Sequence, residues 1–219
     1  AVLADGRVLV NGGSDDAATS VYNPYTNAWT AVAKMTIPRA YQSTALLSNG
    51  AVFTLGGSWD SIKGVAYQAP KNGEVYSPAT NTWRKLPNVD LGLAANKDAL
   101  TADYEDAMKG YTYRGDNHMW LFAVSGGNVF QAGPSRMMHW IGTSGNGAMQ
   151  DAGLRGDSLD AMNGNAIMYD VNKVLALGGA EHYQAKDSKT GAQATNRAYV
   201  IDLSRGYGVN PSVTRTGDM

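Results

Sequence analysis

One pattern of residues recurs four times along this chain and limits what it can fold into. A turn pair is followed by a short apolar run that ends on a Gly-Gly or Ala-Gly step: Asp5-Gly6 to Gly12-Gly13, Asn49-Gly50 to Gly56-Gly57, Gly126-Gly127 to Ala132-Gly133, and Asn172-Lys173 to Gly178-Gly179. Repeats of this kind are units that cannot bury their faces alone and must stack on copies of themselves. Upstream of the last three turns lies a partner strand, at 44–47, 119–124 and 166–171, so each of these units opens with a hairpin. The Asp-Gly and Asn-Gly pairs suit a two-residue turn of type I′, whose central residues both need positive φ.

Downstream, the first two units continue in the same way. Val21-Tyr22-Asn23-Pro24 and Val75-Tyr76-Ser77-Pro78 turn back to bring Trp29 and Trp83 beside the tyrosines. That makes four strands per unit at a spacing of about 40–50 residues, the range of kelch and WD blades. The third unit is looser, with His139-Trp140 where its tyrosine strand would begin, and the fourth carries Ala198-Tyr199 and no tryptophan. The fold class expected is all-β, a β-propeller of kelch-type four-stranded blades. The blades fall roughly at 1–38, 39–90, 114–157 and 161–204, with an insertion at 91–113 and a tail at 205–219. Tyr22, Trp29, Tyr76 and Trp83 are read as packing residues between blades. One helix is expected, over 97–108 in the insertion. Ala1-Val2-Leu3 reads as the end of a strand and the stretch after Asn210-Pro211 as a linker, so the chain is expected to be an arc of a larger ring.

Composition agrees and excludes other classes. The 26 glycines with 12 tyrosines and 5 tryptophans, but only 3 phenylalanines, fit many short strands and tight turns. A net charge of −1 with no basic run argues against a nucleic-acid partner or an anionic membrane surface, and no apolar stretch is long enough to span a bilayer. Without cysteine the chain holds no disulfide. His118, His139 and His182 lack the spacing of a metal-binding pair.

Several motifs carry a family resemblance. They are Arg39-Ala40-Tyr41-Gln42-Ser43, Gly56-Gly57-Ser58-Trp59, the run from Tyr113-Arg114 to Phe122, Val129 to Ser135, Gly164 to Asp170, and Tyr183-Gln184. In this order and over nearly the whole chain, they resemble the galactose oxidase family of fungal copper radical oxidases. The resemblance implies a seven-bladed propeller, of which this chain supplies about four blades. It implies copper held near the axis by two tyrosines, two histidines and solvent, one tyrosine being cross-linked to a cysteine and carrying a radical. Tyr41 would be that tyrosine and copper ligand, and Trp59 the indole stacked over it. Arg114 would bind substrate, with Tyr183 and Gln184 lining the pocket.

The expected reaction is oxidation of a primary alcohol or galactose-type sugar to an aldehyde, with O2 reduced to H2O2. The Tyr-Cys cofactor would take its cysteine from outside this chain. The other copper ligands would come from the remaining blades, so the isolated chain is expected to be inactive. The family implies secretion. The residues also allow another reading: a non-catalytic kelch propeller that binds a protein or carbohydrate, with Tyr41 a buried tyrosine, Trp59 a loop aromatic, and Arg114 paired to Asp116.

Overall fold

The structure is a computed structural model. It describes residues 1–13, 16–57, 72–90, 118–157, 160–180 and 193–219, together with the backbone pairing of 104–106 and 111–113. Four antiparallel sheets follow one another along the chain. The first is β1 (Val8–Asn11), β2 (Thr19–Asn23) and β3 (Ala28–Ala31), and the second is β4 (Ser43–Leu46), β5 (Val52–Leu55), β6 (Gly73–Ser77) and β7 (Thr82–Leu86). A separate two-stranded ribbon, β8 (Tyr104–Asp106) and β9 (Tyr111–Tyr113), precedes the third sheet. That third sheet is β10 (Trp120–Val124), β11 (Asn128–Gly133), β12 (Met137–Gly142) and β13 (Ala148–Leu154). The fourth is β14 (Asn165–Asp170), β15 (Lys173–Leu177), β16 (Ala198–Asp202) and β17 (Ser212–Arg215). In every sheet the spatial order is the chain order, which is the meander of a propeller blade.

The apolar core lies between the blades. Leu3, Leu9 and Val21 of the first blade meet Val52 and Tyr76 of the second. Phe53, Leu55, Val75 and Leu86 of the second meet Val129 and Ile141 of the third. Phe130, Met138 and Trp140 of the third meet Val174, Ala176 and Ile201 of the fourth. Successive strand residues point to opposite faces, so Val52 faces one neighbouring blade while Phe53 faces the other. The strand Val-Phe-Thr-Leu is therefore buried on both sides and reads as an apolar run rather than an alternation.

The tyrosine and tryptophan motif is reproduced closely in two blades. Tyr22 and Trp29 are cross-strand partners with rings 5.1 Å apart at 40°, and Tyr76 and Trp83 repeat this at 5.2 Å and 42°. Each tyrosine hydroxyl donates to an asparagine two residues before the tryptophan, Asn27 at 2.9 Å and Asn81 at 3.0 Å. Both asparagines hold the left-handed turn position, at φ 51° and 53°. Trp83 also donates its indole N–H to the Ala33 carbonyl (2.9 Å), while the Ala33 amide donates to Asn81 (2.9 Å), so the motif staples the second blade to the strand leaving the first.

Three expectations differ from what is observed. The Asp5-Gly6 and Asn49-Gly50 turns are not type I′, because only the glycines have positive φ. The bonds Gly50 N–H to Leu47 C=O (2.9 Å) and Leu47 N–H to Ala51 C=O (2.8 Å) define instead a type I turn closed by a glycine bulge, and Leu3, Gly6 and Arg7 repeat it. The helix expected over 97–108 is contradicted at Tyr104–Asp106, which pairs with Tyr111–Tyr113. Aromatic and β-branched residues in Tyr111-Thr112-Tyr113 favour a strand there. The stretch expected to be a tail supplies β17, which pairs Ser212 to Arg215 against Asp202 to Tyr199. Tyr41 lies two residues before β4, and Asn165 opens β14. The reading of Ala1-Val2-Leu3 as a strand end agrees with a Val2–Val8 bridge and reciprocal backbone bonds between Ala1 and Leu9.

Candidate functional site at the glycine ends of the blades

The linker between the first and second blades crosses the ends of two glycine steps. A Cβ on Gly12 would sit 2.5 Å from the Arg39 carbonyl oxygen, and one on Gly57 would sit 2.4 Å from that of Ala40. Side chains at these positions would push the linker away, which explains why both units end on glycine. The Gly13 amide donates to the Arg39 carbonyl at 3.0 Å, and the Gln42 side-chain amide donates to the Asn11 carbonyl. Residues 39–42 are thus laid across two blades at once.

A buried ion pair holds the same linker from below. Arg39 is fully buried and donates to the carbonyls of Gly56 (3.0 Å) and Asn72 (2.7 Å) and to the Glu74 carboxylate (2.9 Å). Glu74, also fully buried, accepts from the Thr36 amide (2.8 Å), the Thr36 hydroxyl (2.5 Å) and the Ile37 amide (3.2 Å). A buried charge pair is tolerable when most of its remaining lone pairs and protons find partners, as both carboxylate oxygens of Glu74 and both terminal nitrogens of Arg39 do here. In the fourth blade Tyr199 holds the same strand position and its hydroxyl donates to Asp157 of the preceding linker, so this strand position is a recurrent linker anchor.

Tyr41 stands on the segment so held. Its backbone is left-handed, at φ 58°, a conformation that costs a non-glycine residue on the order of 1–3 kcal/mol. It is 51% exposed in this chain. The Tyr41 carbonyl accepts from the His118 amide (3.1 Å), and the His118 ring meets the Tyr41 ring edge-on at 5.3 Å and 78°. His118 is itself left-handed, at φ 54°, and partial desolvation holds its pKa below the ordinary histidine range. Beside this pair, the Ser43 hydroxyl donates to the Met119 carbonyl (2.7 Å), so the lead-ins to β4 and β10 are tied together.

The hairpin β4–β5 brings Gly57 against residues 40 and 42, the same end as Tyr41. Trp59, Arg114, Tyr183 and Gln184 lie outside the described residues. Sequence reasoning missed the contact of His118 with Tyr41 and the Arg39–Glu74 anchor. For the anchor, the signal present was a lone Glu inside an otherwise apolar strand, Gly73–Ser77.

Among the described residues no group of three or more His, Cys, Asp or Glu could hold a metal ion. The donor chemistry at Tyr41 still fits a share in a copper site: a phenol oxygen on a half-exposed tyrosine is a ligand type that Cu(II) accepts. The other donors would have to come from residues outside the described ones.

The fold and this end of the blades define a kelch-type β-propeller, and the kelch motif matches residues 39–89. The chain is similar to galactose oxidase over most of its length. The galactose oxidase of Gibberella zeae is 45% identical over 205 residues, which cover 91% of this chain and 27% of that protein. A solved fungal alcohol oxidase of the AA5 family, in complex with copper, superposes on all of this chain with a TM-score of 0.81 and 34% identity, and the match covers 41% of that structure. The chain therefore spans about a quarter of the length of the curated relatives it matches.

Proposed function

We propose that the protein carrying this chain is a copper radical alcohol oxidase of the galactose oxidase type, and that Tyr41 is its copper-binding, radical-bearing tyrosine. The observation that carries this reading is Tyr41 itself: an exposed phenol, in a left-handed backbone, at the glycine end of the innermost strands. The 45% identity to galactose oxidase and the likeness to a copper-bound alcohol oxidase support it.

In this reading Tyr41 would help to hold copper, which when bound would supply the redox chemistry for oxidising a primary alcohol to an aldehyde, with O2 reduced to H2O2. The chain's own residues hold and shield. The linker anchor fixes the Tyr41 oxygen, and Trp59 covers its ring and keeps water away. Arg114 offers a fork of donors to substrate hydroxyls, and Tyr183 with Gln184 shapes the pocket. The cysteine of the cross-link and the remaining copper ligands come from outside this chain, and so do the other blades. Secretion follows from the family. Among the described residues no helix is long and apolar enough to cross a membrane.

The test uses the full-length protein loaded with copper. Peroxide release should follow addition of galactose or another primary alcohol, and Tyr41→Phe should abolish both turnover and the phenoxyl radical signal in optical and spin-resonance spectra. Copper-loaded protein that gives no peroxide with any primary alcohol and no radical signal would favour a binding propeller instead.

A further inference from the structure

The ends of the blades opposite Tyr41 form a second recess, unrelated to the proposed oxidase site. The turns β4–β5, β6–β7 and β12–β13 meet there and enclose a cleft of about 580 Å3 between the second and third blades. The length of β4, about 13 Å at 3.3 Å per residue, separates it from Tyr41.

Among the described residues, Arg84 is the only charged one in the lining. Its guanidinium is held by the neighbouring blade, donating to the carbonyls of Thr143 (2.8 Å) and Gly145. No described carboxylate forms an ion pair with it. Two of its five N–H donors are used in these bonds, which leaves three for a ligand. Its planar fork is thus oriented before any ligand arrives, which lowers the ordering cost of binding. A fixed cation beside a cleft whose described lining carries no acid group selects an oxyanion.

Size and lining narrow the class further. The volume is far larger than a bare oxyanion needs and falls within the range of about 300–1,000 Å3 typical of small-molecule sites. The side chains of Asn49, Thr82 and Ser144 supply hydrogen-bonding groups, while Val75 and Pro78 supply small apolar wall. Such a mixture matches a ring on which O–H and C–H groups alternate.

We infer that this cleft binds a small acidic sugar, a hydroxyl-bearing ring with a single carboxylate or phosphate, with the acid group on Arg84. Uronic acids and sugar phosphates share this chemistry.

The test titrates full-length protein with glucuronate, glucose 6-phosphate, glucose and inorganic phosphate, read by calorimetry. At least one acidic sugar should bind saturably, at about 1 mM or tighter. Glucose and phosphate alone should each bind about tenfold more weakly, and which acid wins identifies the group recognised. Arg84→Gln removes the charge, and Thr82→Phe fills the cleft without touching it. Each should weaken the acidic sugar by about tenfold or more, the scale of a hydrogen bond to a charged group, with alcohol turnover unchanged. Retained thermal midpoints would show that neither variant acts by unfolding the blades. The inference is overturned if neither acidic sugar binds, if glucose or phosphate binds as tightly as the acidic sugar, or if both variants bind it like the parent.

Discussion

Replacing Glu74 by glutamine tests whether the linker under Tyr41 is held by the buried ion pair or merely lies on the glycines. The change preserves shape but removes one charge and exchanges an acceptor oxygen for a donor NH2. In the parent, one carboxylate oxygen accepts from the Thr36 amide and hydroxyl, and the other from Arg39 and the Ile37 amide. Whichever way the new amide is turned, its NH2 faces a donor, and the Arg39 guanidinium is left buried opposite a neutral group. Breaking a fully buried pair by removing one partner costs about 3–5 kcal/mol. For a domain of this size each kcal/mol lowers the melting midpoint by roughly 2–4 °C. Denaturant titration of Glu74→Gln should therefore show a loss of about 3–5 kcal/mol, and the double variant Arg39→Met with Glu74→Gln should recover part of it, because the uncompensated cation is gone. A loss below about 1 kcal/mol, or additive single and double variants, would refute the claim that this pair anchors the linker.

Two other outcomes follow from the same structure. Burial lowers the pKa of His139 to about 4, and the nearby Asp151 carboxylate offsets part of that shift. A depressed folded-state pKa gives stability that is complete above the unfolded value near 6.5 and is lost as pH falls towards 4. The unfolding free energy should thus drop over that window, by up to about 3 kcal/mol, in the parent more than in His139→Gln. Equal pH slopes in the two proteins would contradict it. For the glycines, Gly57→Ala should destabilise by more than about 2 kcal/mol, since its Cβ meets the Ala40 backbone at 2.4 Å. Gly50→Ala, with no atom within 4 Å of its Cβ, should cost only the left-handed strain of about 1 kcal/mol. Similar losses in both would show that close approach of the linker is not what the second glycine step serves.

The blades were legible in the sequence because their signals are local. A hairpin turn, a doubly buried strand and a tyrosine matched to a tryptophan each fit within a dozen residues. What escaped depends on contacts between distant segments. Glu74 reaches Thr36 and Arg39 across 38 and 35 residues, and nothing in Gly73-Glu74-Val75-Tyr76 announces which linker it will meet. The contact of Tyr41 with His118 exists only because the second and third blades pack side by side. The turn type was misjudged because Asp-Gly and Asn-Gly serve both a type I′ turn and a type I turn with a glycine bulge, and loop length decides between them. β17 was missed because the fourth blade lacks the tryptophan that marks the outer strand elsewhere. For Trp59, Arg114, Tyr183 and Gln184 the family resemblance remains the argument.

The balance of magnitudes explains why Tyr41 can keep a backbone that a non-glycine residue normally avoids. Its left-handed φ, and that of His118, cost on the order of 1–3 kcal/mol each. The compensation comes from the linker on which Tyr41 stands: a buried ion pair whose rupture costs about 3–5 kcal/mol and backbone bonds to Gly13 and His118. These restraints arise from both flanking blades and the third, so relaxing Tyr41 would mean lifting the linker off three sheets at once. Strain in such a position is stable because the surrounding packing over-determines it. A phenol held in this way has little freedom to follow changes at its oxygen, as the proposed role in binding and redox chemistry demands.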